Sequence, residues 1–231
     1  MSGITLSFTE ISGGYGSGKV IDRISGIVEK GKSLCVLGRN GVGKSTFLKI
    51  ILGFIPKQRG VILFHGKDIS SFTPNFRSLK GISYGPQERV VFDNLSVYDN
   101  LTLMRDEKNI QDFRAYFDEF PILEERLDQY AGTLSGGEKK ILSFVRVLSE
   151  DKALVVLDEP SEGVQFENVQ KMHSFIEKRK QTGTSFLIVE QNLSFAEMIA
   201  DKYLVMDQGQ VVLTGLKRDI SSEALIEHLR V

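Results

Sequence analysis

The residues most suited to chemistry lie in the segment GRNGVGKS, Gly38 to Ser45. Its glycines let backbone N–H groups face an anion, and a helix that begins directly after them adds positive potential. Lys44 can reach the β and γ phosphates of a nucleotide, Ser45 can ligate magnesium, and Thr46 is placed to touch phosphate. The apolar run Leu34 to Leu37 predicts the buried strand that precedes such a P-loop.

Two adjacent acids follow a second apolar run, in ALVVLDEP. Leu154 to Leu157 is predicted to be a buried strand, so Asp158 and Glu159 fall at the sheet edge where open α/β sheets bind ligands. Asp158 is suited to hold Mg²⁺ through a water, and Glu159 is suited to polarise an attacking water. Taken alone, the pair could equally be a solvated strand end or a helix cap.

A second glycine-rich segment is TLSGGEKKILSFVRVL, Thr133 to Leu148. Ser135 and Glu138 form the pattern of a capping box, which predicts that a helix begins here. Glycine in the first turn costs roughly 1 kcal/mol against alanine, so Gly136 and Gly137 indicate a close approach to the backbone. A hydroxyl, open N–H groups and the helix dipole together suit a phosphate.

Composition favours an ordinary globular protein. The chain has 231 residues, 26% of them charged, and a net charge of -1, which gives no general attraction to nucleic acid. Its single cysteine, Cys35, lies in the apolar run LCVL and is expected to be a buried thiol. The first ten residues do not have the pattern of a signal peptide, and no run of 18 apolar residues occurs. We therefore expect a soluble, cytoplasmic chain without a nucleic-acid partner.

The order of predicted elements indicates an α/β fold. Alternating and apolar strands dominate the first third, and buried strands then alternate with helices, which implies a mainly parallel, covered sheet. The segment from Asp99 to Gln129 has strong helical propensity and carries aromatic residues at helical spacing. These are Phe113, Tyr116, Phe117 and Phe120.

The motifs GRNGVGKST, LSGGE and LVVLDEP, in this order, resemble the nucleotide-binding domain of ATP-binding cassette (ABC) proteins. The resemblance covers almost the whole chain and implies one domain, residues 1–231, of the P-loop NTPase fold of the ABC type. That fold has a mainly parallel core sheet, an N-terminal antiparallel β subdomain and an inserted α-helical subdomain, here about residues 88–150. It implies ATP and Mg²⁺ as ligands, and a dimer in which the signature loop of one subunit closes over ATP on the other.

The same resemblance assigns the site residue by residue. Tyr15 matches the aromatic residue that stacks on adenine, Gln87 matches the glutamine that contacts magnesium and water and senses the membrane partner, and the loop from Arg89 to Tyr98 should face a transmembrane subunit. The residues expected to contact the metal are Ser45, Gln87 and Asp158. Those expected to take part in catalysis are Glu159, Gln87 and Gln191. Nucleotide contacts from the subunit's own loop fall to Arg39, Asn40, Gly41, Val42, Gly43, Lys44, Ser45 and Thr46, and contacts in trans to Ser135, Gly136, Gly137 and Glu138.

Three departures from the usual pattern point to one branch of the family. The switch position in LIVEQN is Gln191 rather than histidine, the signature ends in Glu138, and SEGVQ lacks the usual aspartate. VEQN together with EGVQ resembles the ATPase subunits of importers for branched-chain amino acids and for urea or short amides. The segments LGRNGVGKS, PQERVVF, EGVQ and FAEMIADKYLVMDQGQVV most resemble the second ATPase of the urea type, with the branched-chain amino acid type next. The resemblance implies a second ATPase subunit, in a heterodimer or alternatively a homodimer. It also implies permease subunits, an extracytoplasmic solute-binding protein, and a location on the inner face of the membrane. A soluble ABC clamp without a membrane partner and an exporter or regulatory ATPase remain alternatives.

Overall fold

The structure is a computed structural model that describes residues 3–16, 18–105 and 107–229. Its strands are β1 (Ile4–Gly13), β2 (Ile21–Glu29), β3 (Ser33–Leu37), β4 (Lys57–Phe64), β5 (Lys67–Asp68), β6 (Ile82–Gly85), β7 (Leu154–Asp158), β8 (Ser185–Glu190), β9 (Lys202–Asp207) and β10 (Gln210–Leu216). Its α-helices are α1 (Lys44–Ile51), α2 (Pro74–Leu79), α3 (Val97–Thr102), α4 (Arg114–Glu119), α5 (Pro121–Glu125), α6 (Gly136–Ser149), α7 (Phe166–Gln181), α8 (Leu193–Ile199) and α9 (Ser222–Leu229).

A six-stranded sheet forms the centre of the molecule, in the order β10-β9-β3-β8-β7-β6. Neighbours from β9 to β6 run parallel, and only β10 pairs antiparallel, at the edge. Strands β3, β7 and β8 are buried at every position, so their sequences are nearly continuous apolar runs. Helices cover one face of the sheet, and α1 together with strands of the N-terminal antiparallel sheet covers the other. The predicted mainly parallel sheet is confirmed, and Cys35 within it is buried as expected.

The predicted N-terminal antiparallel sheet is also confirmed, in the order β2-β1-β4-β5. Phe8 of β1 packs edge-on against Phe47 of α1, with ring centroids 5.1 Å apart. Both side chains are fully buried, and burying an aromatic side chain of this size contributes on the order of 2 kcal/mol. The contact fixes α1, the helix that begins at the phosphate-binding loop.

The segment predicted to be helical between Asp99 and Gln129 consists of short pieces rather than long helices. A 3₁₀ turn over Ile110–Phe113 leads into α4, and Pro121 then begins α5 because proline suits the first turn of a helix. The residue before it, Phe120, has a non-helical backbone, as the proline ring requires.

The aromatic residues predicted in this segment anchor it to α7. Phe113, Tyr116, Phe117 and Phe120 are all buried. The rings of Tyr116 and Phe120 stack on Phe175, with centroids 4.8 and 5.9 Å away. Among the residues that the structure describes, no helix is both long and apolar enough to cross a membrane.

Candidate functional site

Three parallel strands bring the predicted chemistry to one edge of the sheet. Leu37, where β3 ends, lies opposite Glu190 of β8, and Asp158 of β7 lies opposite Val189 of β8. The phosphate-binding loop, the two acids and the switch glutamine therefore follow neighbouring strand ends. This is the edge at which open α/β sheets form ligand sites.

The phosphate-binding loop is closed over its own lysine. Lys44 is 4% exposed, and its Nζ donates to the carbonyl oxygens of Gly38, at 2.7 Å, and Arg39, at 3.0 Å. Gly41 and Gly43 have φ of 81° and 104°, a left-handed backbone that glycine adopts without strain. Burial lowers the pKa of the Lys44 ammonium, and the charge of Glu159 partly opposes that effect. A phosphate would offer this lysine a stronger acceptor than two carbonyl groups.

The other predicted loop residues differ in exposure. Asn40 and Gly41 are exposed, Val42 and Thr46 are buried, and Arg39, Gly43 and Ser45 lie between. Arg39 donates through Nε to the carbonyl oxygen of Leu229 in α9, 3.3 Å away.

Asp158 fits a cation. Its side chain is 3% exposed, and its Oδ1 has no hydrogen-bond partner within the described part of the chain. Burial raises the pKa of Asp158 to about 6, the charge of Glu159 adds to the rise, and the Ser45 hydroxyl beside it partly offsets it. A buried carboxylate oxygen without a donor beside a serine hydroxyl is the kind of oxygen set that Mg²⁺ binds.

Glu159 is the point at which the predicted catalytic residues meet. Its Oε2 accepts from Nε2 of Gln87 at 2.9 Å, and its Oε1 accepts from Nε2 of Gln191 at 2.7 Å. Nζ of Lys44 lies 3.6 Å from Oε1, and the Glu159 side chain is buried. Its backbone has φ of 49°, an uncommon left-handed conformation for a non-glycine residue, of the kind that clusters at functional sites. Fixed donors on both oxygens set the orientation of the carboxylate.

Two charged residues of this site were not among the predicted ones. Lys140 of α6 donates to the carbonyl oxygens of Gln87, at 2.9 Å, and Glu159, at 3.1 Å. Glu190, at the end of β8, is 2% exposed and accepts from backbone N–H groups around it. Glu190 carries the same sequence signal as Asp158, an acid at the end of an apolar strand, whereas Lys140 carries none.

The predicted capping box at the start of α6 is confirmed. The Ser135 hydroxyl accepts from the Glu138 N–H at 3.3 Å, and a Glu138 carboxylate oxygen accepts from the Ser135 N–H at 2.8 Å. The same carboxylate pairs with Arg126 at 3.1 Å, and its pKa is lowered chiefly by the Ser135 N–H. Because the Ser135 oxygen accepts in the cap, its hydroxyl proton is free to donate to an anion.

The two signature glycines have different surroundings. A Cβ on Gly137 would lie 2.9 Å from the carbonyl oxygen of Gly163, so the chain itself approaches closely there. A Cβ on Gly136 would meet no atom within 4 Å, so this position is open to a molecule from outside. Within the described residues, no hydrogen bond or ion pair joins the segment 135–138 to the phosphate-binding loop.

Tyr15 lies apart from these charged groups. Its side chain is 56% exposed, and its hydroxyl accepts from Nζ of Lys49 in α1 at 3.4 Å. An exposed ring beside the phosphate-binding helix is accessible to a base, and the stacking role stays a prediction.

Comparisons with known proteins identify the class. Residues 21–162 match the family model described as ABC transporter. Over 212 residues the chain is 34% identical to the high-affinity branched-chain amino acid transport ATP-binding protein BraG of Pseudomonas aeruginosa, covering 90% of this chain and 91% of that one. Over 233 residues it is 30% identical to the lipopolysaccharide export system ATP-binding protein LptB of Escherichia coli K12, covering 98% and 95%.

A solved ATP-binding subunit of an ABC transporter has the same fold, with a TM-score of 0.84 at 24% identity over 98% of this chain and 95% of that one. The chain therefore belongs to the ABC transporter family, as its ATPase subunit. As a member of that family it binds ATP and is an ATPase.

Proposed function

We propose that this chain is one of two ATPase subunits that drive a solute through membrane permease subunits, and that Glu159 activates the water that attacks ATP. The convergence of Gln87, Gln191 and Lys44 on that one buried carboxylate carries the proposal. A carboxylate held on both oxygens can accept a proton from water without first reorienting.

The residues around Glu159 divide the remaining work. Lys44 exchanges the carbonyl groups of its own loop for the β and γ phosphates, and Tyr15 stacks on adenine. Ser45, Asp158 and Gln87 would hold Mg²⁺, which supplies charge neutralisation to the phosphates when bound. Gln191 can donate its amide to the γ-phosphate but cannot carry a proton charge.

The second half of each site comes from another subunit. Ser135 retains a hydroxyl proton to donate, and the surface at Gly136 is open. At a helix N-terminus both favour the γ-phosphate of ATP bound to a partner, with Gly137 and Glu138 shaping the loop. Two subunits related head to tail thus form two composite sites, which ATP closes and hydrolysis opens.

A groove with exposed apolar side chains, beside the strand that leads to Gln87, supports a membrane partner. The groove, of about 250 Å³, is lined by Phe54, Tyr84 and Met104 among others. Phe54 and Met104 are 56% and 59% exposed, and clustered large apolar side chains on a surface indicate a binding partner. Tyr84 lies on β6, three residues before Gln87, so a permease segment in the groove would contact the strand that leads to the Gln87 amide, which donates to Glu159.

The resemblance of the switch segment VEQN and the segment EGVQ supports import of branched-chain amino acids, urea or short amides. The relative BraG, named for branched-chain amino acid transport, favours the first of these. In this proposal the subunit pairs with a second, different ATPase, although a homodimer would satisfy the same geometry. It works at the inner face of the cell membrane, and a solute-binding protein on the other side delivers the solute.

Export is the second candidate, because LptB, named for lipopolysaccharide export, matches 98% of this chain. A soluble clamp is the third. Purification with co-encoded hydrophobic proteins separates the clamp from both transporters. Vesicles that contain the assembled complex are then tested with radiolabelled leucine and urea. ATP-driven uptake of either solute indicates import, and ATP-driven release indicates export.

The test of the site uses Glu159→Gln, with Glu167→Gln at the exposed start of α7 as the matched control. We expect Glu159→Gln to keep ATP binding and to lose hydrolysis by about three orders of magnitude, while the control keeps both. Unchanged turnover in Glu159→Gln would refute the assignment.

The test of the composite site measures mass by light scattering, with and without Mg–ATP, for the chain alone and with any co-encoded ATPase subunit. In the Glu159→Gln background, ATP should produce a dimer that Ser135→Ala abolishes. Ser96→Ala is the control. Ser96 caps α3 by accepting from the Asp99 N–H, so this substitution removes a serine cap of the same kind at a different helix. A dimer that survives Ser135→Ala contradicts the trans contact.

A further inference from the structure

Glu190 is a buried acid to which the proposed mechanism gives no role. It ends β8 and is 2% exposed. Its Oε1 accepts from the Ser161 N–H at 3.0 Å, and its Oε2 accepts from the N–H groups of Gln191, at 3.1 Å, and Asn192, at 3.2 Å. Both carboxylate oxygens are therefore used by backbone donors, and no lysine, arginine or histidine of the described chain forms an ion pair with it.

The three donors come from the two segments that flank the catalytic carboxylate. Ser161 lies two residues after Glu159, in the loop that leads to α7, and Gln191 places its amide 2.7 Å from Glu159 Oε1. One carboxylate thus joins the loop after the catalytic acid to the loop that carries the switch glutamine. The register of β8 also sets Glu190 opposite Leu37, where the strand before the phosphate-binding loop ends.

A carboxylate is a costly way to cap a loop in this environment. Burial raises the pKa of Glu190, and the donated N–H groups only partly compensate. A neutral side chain such as serine or asparagine satisfies one or two N–H groups without burying a charge. What the carboxylate adds is two acceptor oxygens, one for each segment, in a fixed planar geometry.

We propose that Glu190 is a positioning residue for hydrolysis, which holds the Gln191 amide and the loop after Glu159 in register with each other. The proposal rests on the catalytic role proposed for Glu159. Glu190 touches neither ATP nor the attacking water in this scheme, and it acts through Gln191 and Ser161.

The variant Glu190→Gln tests this because its amide has only one acceptor oxygen. That oxygen can accept from the Ser161 N–H or from the N–H groups of Gln191 and Asn192, but not from both segments. The NH₂ group then faces the N–H donors of the segment that is left without an acceptor. We expect kcat for ATP to fall at least about tenfold while KM changes less than about twofold, because the phosphate-binding loop is intact. A kcat within about twofold of the unsubstituted protein would overturn the proposal.

The matched control is Asn192→Ala. Asn192 caps α8 by accepting from the Phe195 N–H at 3.2 Å, so its loss removes a local hydrogen bond without breaking the link between the two segments. We expect a lower Tm with kcat within about twofold of the unsubstituted protein. If the control loses as much kcat as Glu190→Gln, a merely structural role explains both and the proposal fails.

A double-mutant cycle with Gln191→Ala provides the second measurement. If Glu190 acts through Gln191, adding Glu190→Gln to Gln191→Ala lowers kcat by much less than it does alone. Losses that multiply would refute the coupling. Should Glu190→Gln fail to fold, Glu190→Asp replaces it, because aspartate keeps the charge and reaches the adjacent N–H groups but is one methylene short of Ser161. Full kcat in Glu190→Asp would also count against the proposal.

The two proposals fail in different ways. Full turnover in Glu159→Gln refutes the catalytic assignment and, with it, the role of Glu190. Loss of turnover in Glu159→Gln together with full turnover in Glu190→Gln refutes the positioning role alone. All variants are measured as the full chain, assembled with any ATPase partner that the activity requires.

Discussion

The buried carboxylate of Asp158 should destabilise the nucleotide-free protein at neutral pH. Burial raises its pKa from 3.8 to about 6, so the folded protein binds this proton more tightly than the unfolded chain does. The contribution of the group to stability is therefore fully present below about pH 3.8 and is lost as the pH rises through about 6. The variant Asp158→Asn removes the charge while keeping the shape of the side chain.

The size of the effect follows from that pKa. A rise of about two pH units, at about 1.4 kcal/mol each, makes the ionised carboxylate cost about 3 kcal/mol at pH 8. At pH 5 the folded carboxyl is mostly protonated, and the same linkage leaves a cost of roughly half that amount. Asp158→Asn should therefore raise the free energy of unfolding by about 3 kcal/mol at pH 8 and by about half as much at pH 5.

The assay is urea unfolding, followed by far-UV circular dichroism, without nucleotide or Mg²⁺ at both pH values. Asp118→Asn is the control, because Asp118 is exposed and, among the described residues, pairs only with the exposed Arg114. Its loss should change the free energy of unfolding by less than about 0.5 kcal/mol. The stabilised Asp158→Asn protein should also lose Mg²⁺-dependent ATP hydrolysis. A variant that is no more stable than the unsubstituted protein at pH 8, or equally stabilised at both pH values, refutes the reasoning.

Three further predictions concern the elements around the site. Gly136→Ala should keep or raise the free energy of unfolding, by up to about 1 kcal/mol, and still lose the ATP-dependent dimer in light scattering. Gly137→Ala should lower the free energy of unfolding by about 1 kcal/mol or more, because the new Cβ meets a backbone oxygen at 2.9 Å. Equal urea midpoints for the two variants would contradict this difference. Lys140→Met should lower kcat about tenfold, because it loses the hydrogen bonds to the carbonyl groups of Gln87 and Glu159. Lys139→Met loses only its surface contact with Asp93 and should leave kcat unchanged. Equal kcat values for the two variants would count against a role of Lys140 in the site. Arg77→Met should lower the free energy of unfolding in urea by about 3 kcal/mol. Arg77 is 2% exposed, and its guanidinium donates to four backbone carbonyl groups, two of them at the end of α1. A loss below about 1 kcal/mol would contradict this reasoning.

The fold was predictable where the local pattern and the tertiary environment agree. Strands buried on both faces need continuous apolar runs, so LCVL and ALVVL identify β3 and β7 by themselves. The two acids at the end of the β7 segment were then located by the general rule that parallel strands end at one edge of the sheet. The segment from Asp99 to Gln129 was less predictable, because helical propensity does not show where Pro121 and the turns before it divide the helices.

The parts of the site that the sequence concealed are contacts between distant segments. Lys140 lies 53 residues from Gln87 and 19 from Glu159, and nothing in the helical pattern of α6 distinguishes it from Lys139. In the fold the Lys140 side chain is 12% exposed and points to the site carbonyls, whereas the Lys139 side chain is 24% exposed and pairs with the exposed Asp93. The opposite surroundings of Gly136 and Gly137 were hidden for the same reason, because the loop at Gly163 is 26 residues away in sequence from Gly137.

The charges of the site indicate why ATP should stabilise the folded subunit. The Lys44 ammonium donates to two carbonyl groups of its own loop, and Asp158 Oδ1 accepts no hydrogen bond from the described residues. Phosphate gives Lys44 a charged acceptor, and Mg²⁺ gives Asp158 a cation, so both desolvation costs fall when the ligand binds. Ligand at 100 times its Kd stabilises a folded protein by about 2.7 kcal/mol. In the Glu159→Gln background, which retains ATP, we expect Mg–ATP to raise the urea midpoint of the chain and Asp158→Asn to remove most of that gain.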